Sequence, residues 1–133
     1  MSVKIDVKNM LGTTKKVEVK TTTKNFKKAI TFLRDMNHIQ LEQMRNEKDS
    51  QDIEDSDSIT ALELNDRNMS SMLAMTDTVT NYIQSTLKLD EAQMEKLDEE
   101  HSLDEVMNFA MEIATKVTGS ESEQGGEKDT LKV

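Results

Sequence analysis

The residues able to do chemistry are few and scattered. His38 and His101 are the chain's two histidines, far apart, and neither has a second His or a Cys at ligand spacing, so a zinc site is not expected. One acidic run invites a calcium test. Counted from Asp52, Ile59 falls at the eighth and Glu63 at the twelfth position of a calcium-binding loop. The sixth, which needs Gly for the sharp turn, is Asp57, and the third is the longer Glu54. Asp104 and Glu105 are neighbours in sequence, and adjacent helical residues do not face each other, so they read as a solvated surface rather than an acid and base pair. No Gly-rich loop follows a strand, and the serines sit in caps and acidic loops without a nucleophile motif. The pattern points to a protein that binds rather than catalyses, without metal or cofactor.

The composition agrees with that direction. The 133 residues suffice for one domain, with 35% apolar and 32% charged residues. There is no Pro, Trp or Cys, and ten Met stand against 3% aromatics, so a core must come from Leu, Ile, Val, Met and Ala. Absence of Cys fits a reducing compartment, and neither an export signal nor a membrane span is expected. The net charge of −9 is polarised: residues 1–48 carry eleven Lys and Arg against five acids, whereas residues 49–133 carry six against twenty-one. Nucleic acid is disfavoured, because the basic third has one aromatic-flanked run, Phe26-Lys27-Lys28, and no stacking platform.

The elements that must position any binding surface are mainly helical. Ser102 and Glu105 form a capping-box pair. Leu103, Val106, Met107, Ala110, Ile113, Ala114 and Val117 then recur at helical spacing until Gly119. Phe109 and Met111 lie on either flank of that seam, giving the helix apolar surface for more than one neighbour. Upstream, Val3, Ile5 and Val7 alternate with polar residues, as do Val17 and Val19. The turn residues Asn9 to Gly12 between them predict a hairpin over 3–20. A helix is expected over about 24–47, with Phe26, Ala29, Ile30, Leu33, Leu41 and Met44 on its face and a weak centre at Asn37 and Gln40.

After the acidic run, a second long helix over 59–87 is expected. Its face is Leu62, Met69, Met72, Leu73, Thr76, Val79, Thr80, Ile83 and Leu87, with a break near Asn65 to Asn68. Leu64, Met75 and Tyr82 form a strip beside it. Asp90 and Gln93 cap a short helix over 91–100, with Leu89 and Met94 as a hydrophobic staple, and the last helix covers 103–118. The expected fold is a small helical domain, 1–119, with an N-terminal β-hairpin and a disordered acidic tail, 120–133. Leu64, Met75, Tyr82, Phe109 and Met111 widen two helical faces beyond one core's need and are the expected partner-binding residues. Met69, Met72, Met75, Met107 and Met111 offer adaptable contacts for a varied client.

A strand pair, a first helical face from Phe26 to Leu33, an acidic break, a Met-bearing middle helix, a capped short helix and then LDEVMNFAMEIATKVTG with a polar tail is an order that resembles the tail assembly chaperones of long-tailed (siphovirus-type) phages, particularly of Gram-positive hosts. The resemblance implies a protein of the host cytoplasm. It would bind the tape measure protein, a long aggregation-prone helical chain, and help bring tail tube protein to it. A longer, frameshifted form and homo-oligomers are both open on this resemblance. The alternative from another class is a small acidic phage-encoded adaptor or inhibitor of a host protein.

Overall fold

The computed structural model describes residues 2–13, 16–51 and 58–119. The chain begins with β1 (Ser2–Ile5), a single helical turn α1 (Lys8–Leu11) and β2 (Val17–Lys20). The strands pair antiparallel with Val3 opposite Val19 and Ile5 opposite Val17, so one face of the ribbon is apolar. The expected hairpin is present, and its turn segment does more than reverse the chain. Met10 and Leu11 are buried from α1, and Gly12 closes that turn at φ 73°, a left-handed conformation that a side chain resists. A two-stranded ribbon is marginal alone, and this one lays Ile5, Val7 and Val19 on the helices.

Two long helices follow, α2 (Thr23–Gln51) and α3 (Ser58–Leu87), packed against each other. Both run unbroken through the polar stretches where weakness was expected. Around Asn65 to Asn68 the reason is a clasp between the helices. Asn46, almost fully buried, accepts from Arg67 Nη2 at 2.7 Å and donates from Nδ2 to Asn68 Oδ1 at 3.3 Å; Arg67 also meets Asp49 at 3.2 Å. Polar groups that satisfy one another there hold the helices together instead of ending one.

At the end of α3, Lys88 takes φ 56° without being Gly, and the chain turns into α4 (Glu91–Glu100) and α5 (Leu103–Thr118). Both capping boxes form as the spacing predicts, Asp90 with Gln93 and Ser102 with Glu105, and Gly119 closes α5 at φ 83°. Leu89 and Met94 are both buried, as a staple requires. Val106, Ala110, Ile113, Ala114 and Val117 are buried as expected, and α5 packs on α2, α3 and β1. It is the centre of the core.

His101 fixes the corner between α4 and α5. Its Nε2 lies 2.9 Å from the Met10 carbonyl and its Nδ1 3.3 Å from Glu105 Oε2, tying α1 to the start of α5. His38 stands exposed on α2, so the two histidines serve no common site. The first six positions of the calcium-like spacing and the expected disordered tail, 120–133, lie outside the described residues. Ser58 to Glu63, the last six positions of that spacing, are already helical.

Candidate functional site: the bare side of the α2–α3 arm

Helix length decides what α5 can cover. At 1.5 Å per residue, α2 and α3 are each about 44 Å long and α5 about 24 Å. Near its start, Leu103 and Val106 border a small cleft of about 290 Å³ with Thr76, Asp77 and Thr80 of α3. Thr80 and Thr76 continue along α3 toward its N-terminus as Leu73, Met72, Met69, Leu62 and Ile59, at steps that keep to one side of a helix. Upstream of Thr76 nothing among the described residues covers that side. Ile59, Leu62 and Leu73 are about 70% exposed, and Met69 and Met72 are half exposed.

The other long helix, α2, also leaves apolar residues exposed. On α2, Ala29 and Phe32 are buried, while Phe26, Ile30, Leu41 and Met44 are exposed. The sequence-based face of α2 is therefore corrected. Two apolar stripes with helical spacing lie side by side, and the one that enters the core runs through Ala29, Phe32, Leu33 and Met36. The sequence pattern leaves Met36 off the core-facing side and misses Phe32. Its ring stacks on Tyr82 with centroids 4.4 Å apart and planes 9° from parallel. The face expected for α3 is corrected in its first half only: Val79, Ile83 and Leu87 are buried, whereas Leu62, Met69, Met72 and Leu73 are not.

The five residues expected at a partner surface separate. Tyr82 and Phe109 are buried and Met75 is partly buried against the core where α2, α3 and α5 meet, and Leu64 is buried outside that cluster, further along α3. Burial also pushes the Tyr82 phenol up to about 12, with the Thr86 hydroxyl pulling weakly the other way. Met111 alone of the five is exposed, on α5. Of the residues singled out for adaptable contacts, Met69 and Met72 lie on the bare side of the arm. The signal that could have found this surface is length: two helices of nearly thirty residues cannot both be covered by one of sixteen.

An exposed run of Leu, Ile and Met along one side of a long helix is what a protein–protein contact uses. Nothing in it resembles a catalytic or metal centre, and no group of three or more His, Cys, Asp or Glu among the described residues could hold a metal ion. The profile of the family described as "Phage tail assembly chaperone proteins, TAC" matches residues 3–131. The chain belongs to the phage tail assembly chaperone family. That match spans every element described above, from β1 through α5, so the arm is part of the family domain rather than an appendage to it. The family is a chaperone family and not an enzyme class, and its members work on protein partners of the phage tail. No curated protein and no solved structure matches the chain. No helix among the described residues is long and apolar enough to cross a membrane.

Proposed function

We propose that this tail assembly chaperone binds the tape measure protein of its phage through the bare side of the α2–α3 arm and keeps it available for assembly of the tail tube protein around it. The observation that carries the reading is the exposed stripe from Ile59 to Leu73 on α3. Eighteen residues from Ser58 to Met75 span about 27 Å, enough for some five turns of a client helix. A helical client laid there would bury its own apolar face against this stripe. Met69 and Met72 suit a client whose sequence varies along its length.

Leu64, Met75, Tyr82 and Phe109 then support the helices from within, and Met111 offers a separate exposed contact on α5. The work is done in the host cytoplasm without catalysis, and the element order supports a long-tailed phage of a Gram-positive host. Co-expression with the tape measure protein encoded in the same genome tests the reading. The wild-type chain should bring that client into the soluble fraction, and a Leu62→Ser, Met69→Ser, Leu73→Ser variant should not. Equal solubility of the client with both chains would remove the arm from the function.

A further inference from the structure

A second surface lies on the opposite side of the same two helices. Lys24, Lys27, Lys28, Thr31, Phe32 and Asp35 of α2, with residues from Thr78 to Ser85 of α3, line a cleft of about 590 Å³. At about 100° per residue, the lysines stand roughly 150° round α2 from Ala29, Leu33 and Met36, which meet the core. The cleft therefore opens away from α5. Its floor is the stacked Phe32 and Tyr82 pair, and its rim is basic.

The charges of that rim are unspent. Among the described residues, no carboxylate lies within ion-pair distance of Lys24, Lys27 or Lys28, although the chain holds 26 acids. Lys28 Nζ donates to a neutral group, Ser85 Oγ, at 2.8 Å. The first turn of α2 has no acidic residue, so Lys24 stands at the positive end of the helix dipole, where a cation is unfavourable. Three unpaired cations held together at such a place repel one another until an anion arrives.

We propose that this cleft docks an acidic peptide segment of a partner protein, with an apolar side chain seated over the Phe32–Tyr82 floor and two or three carboxylates on Lys24, Lys27 and Lys28. Asp35 at the cleft edge orients the segment by disfavouring an acid there. A nucleic acid fits less well: the two rings stack on each other rather than standing apart as a platform for successive bases, and a chain of net charge −9 repels a long polyanion. The site is separate from the apolar side of the arm and does not depend on what binds there.

Fluorescence anisotropy with the full chain tests it, using a labelled twelve-residue peptide of Glu and Ser with one central Phe. The peptide should bind, more weakly as salt rises. A Lys24→Gln, Lys27→Gln, Lys28→Gln variant with unchanged circular dichroism should bind about tenfold more weakly, the expected loss for three rim charge pairs. Arginine at the same three positions should restore binding. The Leu62→Ser, Met69→Ser, Leu73→Ser variant should bind the peptide as the wild type does, so failure of the arm reading and failure of this one are distinguishable. No binding, or binding unaltered in the glutamine variant, overturns the proposal. Equal affinity for a thymidine oligonucleotide of the same charge assigns the cleft to nucleic acid instead. Self-association of the wild type that vanishes in the glutamine variant assigns it to a second copy of the chain.

Discussion

The same two helices behave differently at their two ends. Where α5 reaches them, the inward sides of α2 and α3 bury Ala29, Phe32, Val79, Ile83 and Leu87, and the aromatic pair stacks between them. Beyond the start of α5, α3 shows Leu62, Met69 and Leu73 to solvent, and the helices are joined by the Asn46–Arg67–Asp49 clasp, with Leu64 buried beside it in sequence. An apolar stripe becomes core only if something long enough lies on it. The difference separates what the chain needs in order to fold from what it has left for a partner.

The largest expected effect falls on the covered end. Ile113→Asp places an unpaired charge among fully buried side chains and should abolish cooperative unfolding in urea, whereas Leu62→Asp on the bare end should leave the midpoint almost unchanged. Similar losses from both would mean that the bare end is core after all. Phe109→Ala should cost about 3–5 kcal/mol, the range for removing a buried ring. Asn46→Ala, which leaves Arg67 and Asn68 facing a gap, should cost about 1–3 kcal/mol. Its hydrogen exchange should quicken in the arm while residues 106–117 stay protected.

A smaller effect concerns the start of α5 and depends on pH. Ser102→Ala should cost about 1 kcal/mol through loss of the cap. The amide of Ser102, then His101 and the Ser102 hydroxyl, hold the Glu105 carboxyl below its usual range. A depressed folded value gives stability that is present above the unfolded value and is lost as pH falls through the folded one. Glu105→Gln should therefore be less stable than wild type at pH 7, and the gap should close in acid below the ordinary carboxylate range. A gap independent of pH would show that the carboxylate contributes only shape.

Much of the covered end was legible in the sequence, and the bare end was not, for a physical reason. Capping boxes at Asp90 and Ser102 and the glycine at 119 are local signals, set by residues within one turn, and they form as written. The burial of Val106, Ala110, Ile113, Ala114 and Val117 follows from a seam flanked by apolar residues on both sides. On α2, two stripes compete, Phe26–Ile30–Leu41–Met44 and Ala29–Phe32–Leu33–Met36, and periodicity alone cannot say which meets α5. On α3, Leu64, Met75 and Tyr82 fit either the edge of the core or a second surface, because the sequence does not give the direction of α2. Lys88 gave no warning of its left-handed turn, since the signal sought there is Gly.

Cross-linking tests the central claim, that the uncovered side of the arm is where the client lies, most directly. With a photoreactive phenylalanine analogue at Leu73 on the bare side of α3, or at Glu95 on the exposed side of α4, irradiation in the presence of the tape measure protein should give a cross-linked product from position 73 and none from position 95. Cross-links from position 95 alone would place the client on the acidic short helix and contradict the account.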